Sequence, residues 1–162
     1  MARLIRTFFD TSVLLGGTID TGAATRDAQA AMDAVADGKV PGPTTAWHCC
    51  LEYYSVVTRL PEELRLTPAA ALELLEAEIL GRFDIVDLPQ DARLEFLRMA
   101  AAQRVAGGRL YDAHIAETAR RSGAKVVVTE NLRHFPSSPE LSFRVVSAAQ
   151  FVRELVEDQR QG

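Results

Sequence analysis

Short apolar runs alternate with longer amphipathic stretches along the chain, a pattern that predicts strands separated by helices. Residues 4–9 are mostly apolar and predict a buried strand. Residues 125–129 contain three consecutive valines and no turn-forming residue, as expected of a strand covered on both faces. Two further strands are predicted at 83–88 and 143–146. The sheet therefore has at least four strands.

Helical periodicity fills the intervals between these strands. The predicted helices span about 24–36, 45–59, 68–80, 91–105, 110–122 and 148–157. Thr44 or Thr45 is expected to cap the second helix, Ser147 to cap the last one, and Pro68 to occupy a favoured first-turn position. Gly16 and Gly17 are expected to interrupt the chain after the first strand.

Strands that alternate with helices indicate a parallel sheet with helices on both sides. The prediction is an α/β fold, specifically a three-layer α/β/α sandwich with a mostly parallel sheet of four to five strands. The segment 40–43 reads as an extended connector. Residues 1–157 are expected to form a single domain, followed by a disordered tail at 158–162.

Composition narrows the class of protein. The chain has 162 residues, of which 48% are apolar and 25% charged, as in an ordinary soluble domain. No apolar run is long enough to span a membrane, and charge comes too early at the N-terminus for a signal peptide, so we expect a cytoplasmic protein without membrane contact. Cys49 and Cys50 are adjacent, a poor geometry for a disulfide, and we interpret them as reduced helix residues. The net charge of −4 argues against coating of nucleic acid by bulk attraction.

Polar residues follow two of the predicted strands, where sites gather in parallel α/β sheets. They are Asp10, Thr11 and Ser12 after the first strand, and Thr129, Glu130 and Asn131 after the valine-rich strand. An acid in such a place also has an ordinary structural explanation, since Asp and Ser cap helices and form turns.

Two further acids lie on predicted helices. Glu52 is surrounded by apolar residues, and a carboxylate on a mostly buried helix needs a partner. Glu52 also shares a polar stripe of the helix with His48 and Arg59. Exposure of that stripe to solvent is the alternative explanation for the acid. Asp112 lies in the first turn of its helix, where a negative charge is favourable without any further role.

The order of these segments is more informative than any one residue. Asp10 after the first strand, Glu52 in 51–59, Asp112 in 108–115 and Asn131 in 128–135 resemble the PIN-domain family, most closely the toxin ribonucleases of VapBC-type toxin–antitoxin pairs. The resemblance covers nearly the whole chain.

The resemblance implies a nuclease that binds Mg²⁺ or Mn²⁺ and cleaves RNA. It implies Asp10, Glu52 and Asp112 as metal-binding and catalytic acids, with Asn131 where the family often has a further Asp. Asn offers a carbonyl oxygen but no charge, so either Asn131 or the adjacent Glu130 completes the site.

Neighbouring polar and basic residues have supporting roles in this interpretation. Hydroxyls of Thr11, Ser12 and Thr129 are candidates for hydrogen bonds to a ligand carboxylate or to phosphate. Arg109 and Arg133 are candidates for phosphate contact. His114 and His134 lie nearby in sequence, and none of the histidines is assigned as a base. Arg120 and Arg121 are expected to be ordinary surface charges.

Other classes fit the residues less well. A phosphatase of the haloacid dehalogenase type needs a second Asp two residues after the first, where this chain has Ser12. A dinucleotide-binding fold needs a glycine-rich turn directly after the first strand. A receiver domain needs an acidic pair that is not visible. The remaining alternative is an inactive PIN module that acts as an RNA- or protein-binding scaffold.

Two protein partners are also predicted. The helices at 45–59 and 68–80 have more apolar surface than one sheet face requires, which predicts a homodimer; the residues concerned are Trp47, Tyr53, Tyr54, Leu72, Leu75 and Ile79. The family resemblance implies the same, and it implies a small antitoxin that holds the nuclease inactive by placing a basic side chain near the acids.

Overall fold

The computed structural model describes residues 5–135 and 142–162. In that part of the chain, the strands are β1 (Arg6–Phe9), β2 (Pro43–Ala46), β3 (Asp84–Val86), β4 (Ala124–Val128) and β5 (Arg144–Val146). The α-helices are α1 (Thr11–Thr18), α2 (Arg26–Ala36), α3 (Trp47–Val57), α4 (Pro68–Leu75), α5 (Gln90–Ala102), α6 (Arg109–Ser122) and α7 (Ala148–Gln161). Residue 4, the predicted start of the first strand, lies outside the described residues.

All the strand pairs are parallel, and the order across the sheet is β3-β2-β1-β4-β5. Helices flank this five-stranded sheet, so the predicted three-layer sandwich is confirmed. Helix α2 packs on α1 and α7, and α5 packs on α6. The order of connection reverses between β1 and β4, and such a reversal opens a crevice at the carboxyl ends of the two strands.

The hydrophobic core lies along the central strands. Phe8 and Phe9 of β1 and Val127 and Val128 of β4 are fully buried, and so is Tyr53 of α3. Phe9 packs edge-on against Phe83 and Phe151, with ring centroids 5.3 and 5.6 Å apart. Cys49 and Cys50 are buried and free, in agreement with the prediction. No helix in the described residues is long and apolar enough to cross a membrane.

The predicted cap of α3 was wrong, because Thr44 and Thr45 belong to a strand that the sequence did not indicate. Both are fully buried in β2. The Thr45 hydroxyl donates to the Phe9 carbonyl, 2.8 Å away, which ties the end of β2 to the end of β1. Helix α3 starts at Trp47, and the preceding Ala46 is extended without a side-chain cap.

The predicted break at Gly16 and Gly17 was also wrong, because both lie inside helix α1. A Cβ atom on Gly17 would lie 2.1 Å from Cγ of Met32, and one on Gly16 would lie 2.9 Å from Cβ of Ala28. The two glycines therefore let α1 approach α2 closely.

Several predicted helix ends agree with the structure. Pro68 occupies the first turn of α4, which continues as a π-helical turn over Glu76–Leu80. Gly123 ends α6 with a φ of +82°. Ser147 caps α7 by accepting from the Gln150 N–H. Helix α7 continues to Gln161, through the residues predicted to form a disordered tail.

Candidate active site

The carboxyl ends of β1 and β4 bring the two predicted polar segments together. Phe9 and Val128 are partners in the parallel register, so the residues that follow them, Asp10 and Thr129, are neighbours. The Asp10 N–H donates to the Val128 carbonyl at 3.0 Å. The Thr129 hydroxyl donates to Oδ2 of Asp10 at 2.8 Å. Asp10 and Thr129 therefore lie at the carboxyl ends of β1 and β4, where the strand order reverses.

Asp10 is held by hydroxyl groups in a buried position. Its residue exposure is 5%, and Oδ2 accepts hydrogen bonds from Thr129 and from Ser12, the latter at 3.0 Å. Burial raises the pKa of Asp10, the two hydroxyl donors lower it, and the negative charge of Glu52 raises it further. The protein thus holds a carboxylate where its charge is poorly solvated.

The hydroxyl groups also organise the loop after β4. The Ser12 hydroxyl lies 3.3 Å from that of Thr129 and accepts from the Glu130 N–H at 3.0 Å. The Asn131 N–H donates to the Thr129 hydroxyl, also at 3.0 Å. These bonds fix the 129–131 backbone beside Asp10.

Glu52 reaches the same region from α3. The Thr11 hydroxyl donates to Oε2 of Glu52 at 2.5 Å, and Nε2 of His48 lies 3.8 Å from Oε1. The contact with His48 lowers the pKa of Glu52, and the Glu52 carboxylate in turn raises the pKa of His48. His48 was not among the predicted site residues, although its spacing of four residues from Glu52 on one helix was a usable signal.

Asp112 lies in the first turn of α6 and is more open than Asp10. Burial raises its pKa, interactions with His134 and Arg109 lower it, and the negative charge of Glu52 raises it. Nδ1 of His134 lies 3.5 Å from Oδ2 of Asp112. The negative charge of Glu52 therefore raises the pKa of both Asp10 and Asp112.

The two candidates for a fourth acid differ in the structure. Oε1 of Glu130 accepts from the Ala148 N–H at 2.8 Å, so this carboxylate satisfies the N-terminus of α7. Asn131 is exposed, and among the described residues its backbone N–H donates to Thr129. Glu130 therefore has a structural partner, whereas the choice of Asn131 as a ligand stays a prediction.

The basic residues predicted to contact phosphate also differ in their relation to the acids. Arg109 is close enough to influence Asp112, whereas Arg133 is exposed on the Leu132–His134 turn without a hydrogen bond or ion pair to the described site residues. Arg120 and Arg121, predicted to be ordinary surface charges, are exposed and pair with Glu117 at 2.7 and 2.8 Å.

The three acids suit a hard divalent cation. They offer carboxylate oxygens as ligands, and their negative charges repel one another unless a cation neutralises them. Over residues 5–135 and 142–162, however, no three His, Cys, Asp or Glu side chains are close enough to form a ready-made metal cage. Mg²⁺ does not require such a cage, since it keeps several waters and commonly binds one or two carboxylates together with substrate phosphate.

Comparison with known proteins identifies the family. The PIN domain model matches residues 7–137, so the chain belongs to the PIN domain family. It is similar to Ribonuclease VapC27 of Mycobacterium tuberculosis, with 36% identity over 103 residues that cover 63% of this chain and 72% of the relative.

Solved structures share the fold. DNA-bound VapBC from Salmonella typhimurium superposes with a TM-score of 0.61 and 20% identity, over 90% of this chain and 99% of the other. VapBC2 from Rickettsia felis, bound to a promoter DNA fragment, gives a TM-score of 0.59 and 15% identity, over 88% and 98% of the two chains.

Proposed function

We propose that this chain is a metal-dependent endoribonuclease, the toxin of a type II toxin–antitoxin pair, that hydrolyses RNA phosphodiester bonds in the cytoplasm. One observation carries the proposal. The buried carboxylate of Asp10 lies at the reversal of strand order, and the hydroxyl of the adjacent Thr11 donates to the Glu52 carboxylate. Membership of the PIN family and similarity to a protein named as a ribonuclease support the assignment.

Asp10, Glu52 and Asp112 would hold Mg²⁺ or Mn²⁺, with Asn131 contributing directly or through water. When bound, the ion would neutralise phosphate charge and activate a water molecule. Thr129 and Ser12 orient Asp10, and Thr11 orients Glu52, through the hydrogen bonds described above. Arg109 would attract a phosphate towards the acids.

The test is cleavage of single-stranded RNA by the purified chain with Mg²⁺ or Mn²⁺. We expect cleavage that EDTA stops and that Asp10→Asn abolishes, with Asp37→Asn as the matched control because Asp37 is an exposed acid paired with Lys39 at the end of α2. Calorimetry should show binding of Mn²⁺ that Asp112→Asn weakens strongly. Metal binding unchanged in that variant would remove Asp112 from the site.

The alternative is an inactive module that serves as a scaffold. Its expected signature is a chain that binds RNA or protein but leaves RNA intact with either metal. The buried and hydroxyl-bonded Asp10 favours the enzyme, since an acid retained in a poorly solvated place has a cost that a scaffold would not need to meet.

A small antitoxin is the proposed regulator. An Arg side chain from such a partner would form paired hydrogen bonds with the carboxylates and compete with the metal. Expression of the chain alone should arrest growth, and co-expression of the adjacent small gene should prevent the arrest. A harmless Asp10→Asn variant would assign toxicity to the active site, whereas a wild-type chain that is harmless at high expression would exclude the toxin role.

A further inference from the structure

Four aromatic rings form a series that runs from the interior to the edge of the active site. Phe96 of α5 is 6% exposed, and its ring centroid lies 5.5 Å from that of His114. His114 lies 5.4 Å from His48, edge to face. The His48 ring is stacked on Tyr111 at 5.4 Å with an interplanar angle of 18°.

Tyr111 is the outermost ring and remains 55% exposed. One of its faces lies against His48, and more than half of the residue is open to solvent. Exposed aromatic side chains usually lose rotamer freedom when a ligand binds, which weakens binding. Here the packed rings already hold Tyr111 in place, so that a ligand would find a preorganised flat surface.

The position of this surface relates it to the acids. Tyr111 directly precedes Asp112 on the first turn of α6, and His48, its stacking partner, contacts Glu52. Arg109 lies in the same helical turn. Tyr111 is therefore linked to Asp112 through α6 and to Glu52 through His48.

We propose that Tyr111 is the stacking platform for a nucleobase next to the phosphate that is cleaved. This inference rests on the proposed ribonuclease function and adds a positioning residue to it. A base must be unstacked from its neighbours to lie on a protein ring. Stacking is tolerant of sequence, because every base has a flat face. Tyr111 is a positioning residue, and the acids carry out the chemistry.

The test measures binding of a short, fluorescently labelled single-stranded RNA to the full chain in the Asp10→Asn background, where RNA should not be consumed. Tyr111→Ala should raise Kd by roughly 5- to 150-fold, the range measured for loss of one stacked base. Tyr111→Phe should bind within about twofold of the parent, and Tyr111→Leu should lose most of the affinity because it keeps apolar bulk but has no ring. Leu94→Ala is the matched control, since Leu94 is 57% exposed on α5.

A second probe requires no substitution at Tyr111. RNAs with one abasic ribose at successive positions should bind the parent chain more weakly at a single position, and Tyr111→Ala should abolish that dependence. In the otherwise wild-type enzyme, Tyr111→Ala should raise KM more than it lowers kcat. A ring with only a structural role would give neither result.

The outcomes separate the two proposals. If RNA is never cleaved but Tyr111→Ala still loses affinity, the nuclease assignment fails and the stacking role stands. If RNA is cleaved and Tyr111→Ala binds as tightly as the parent, the stacking role is overturned. Unchanged RNA binding together with a weakened dimer would show that Tyr111 contacts protein instead.

Discussion

Asp10 depends on two hydroxyl groups that bond to the same carboxylate oxygen. Both Ser12 and Thr129 donate to Oδ2, so Oδ1 is not engaged by them. Burial without these donors would make the charged form unfavourable, because hydrogen bonds must replace the lost water. Burial thus raises the pKa of Asp10, and the two hydroxyls reduce that rise while they fix the carboxylate through Oδ2.

The role of Thr129 can be tested with Thr129→Val, which keeps the shape of a fully buried side chain and removes its hydroxyl. We expect a loss of about 1–3 kcal/mol in the free energy of unfolding, because the bond to Asp10 is lost and the Asn131 N–H loses its acceptor. RNA cleavage should fall as well.

The control for this variant is Thr118→Val. Thr118 is equally buried, but its hydroxyl donates only to the His114 carbonyl of its own helix. We expect a smaller loss, below about 1 kcal/mol. Denaturant unfolding gives the free energy of unfolding of both variants. Equal losses would mean that the hydrogen bond to Asp10 stabilises the fold no more than an ordinary helix hydrogen bond.

Glu117 gives a prediction of pH dependence away from the site. It is 9% exposed and accepts hydrogen bonds from Arg120 and Arg121, and these lower its pKa from the ordinary value of 4.5. A lowered pKa in the folded state stabilises the fold above 4.5, and this contribution is lost as the pH falls through the folded value.

Glu117→Gln should therefore lower the free energy of unfolding by about 1–2 kcal/mol at pH 7. The difference from wild type should shrink as the pH falls below 4.5. Glu95→Gln is the control, because the Glu95 side chain is 77% exposed and should show no measurable change. A difference for Glu117→Gln that stays constant down to pH 2 would show that charge is not its origin.

At the level of elements, α1 and β2 show where local sequence patterns are insufficient. Thr44 and Thr45 suit a helix cap and a strand equally well, and only pairing with β1 decides between them. Gly16 and Gly17 are poor helix formers in isolation. Both are retained in α1 because its approach to α2 leaves no room for a side chain. Such decisions depend on tertiary contacts that lie far apart in sequence.

Part of the candidate site could be predicted from the sequence, and part of it could not. Asp10 and Thr129 could be placed from sequence because both follow strands, and parallel strands end at the same edge of a sheet. The ring series could not be placed in the same way. Tyr111 and His114 share a helix face at a spacing of three, but their contact with His48 requires the N-termini of α3 and α6 to meet.

The variant Gly17→Ala tests how closely α1 packs on α2. Alanine is the better helix former by about 1 kcal/mol. Its Cβ would nevertheless lie 2.1 Å from Cγ of Met32 and 3.0 Å from the Ala28 carbonyl oxygen, so the helices must move apart. We expect a net loss of about 1–3 kcal/mol in the free energy of unfolding.

Gly108→Ala is the matched control for this variant. A Cβ atom there would meet nothing within 4 Å, and its φ of −60° suits any residue. We expect a neutral effect or a gain of about 0.4–1 kcal/mol. Thermal unfolding measures both changes, and a stabilised Gly17→Ala would contradict close packing of α1 on α2.

For the whole molecule, the apolar residues that stay exposed indicate where a second copy of the chain could bind. Of the residues that predicted a homodimer, Tyr53, Leu75 and Ile79 are buried in the core. Trp47, Tyr54 and Leu72 of that set stay exposed, at 44%, 37% and 48%. Leu51, which was not in the predicted set, lies between Trp47 and Tyr54 and is 52% exposed. The spacing of Trp47, Leu51 and Tyr54 along α3 puts all three on one face of the helix. Exposed apolar clusters of this kind mark contact surfaces.

We therefore expect Leu51→Arg to convert a dimer into a monomer, because an unpaired charge at the centre of an apolar contact is strongly unfavourable. Light scattering at micromolar concentration should give twice the chain mass of 17.7 kDa for the wild type and a single mass for the variant. Leu94→Arg on α5, which is 57% exposed, is the control and should remain dimeric. A wild-type monomer would exclude the dimer, whereas a dimer lost only with Leu94→Arg would assign the contact to α5. Because Leu51 precedes Glu52 on α3, a dimer through this face would also make the second copy a neighbour of the acidic site.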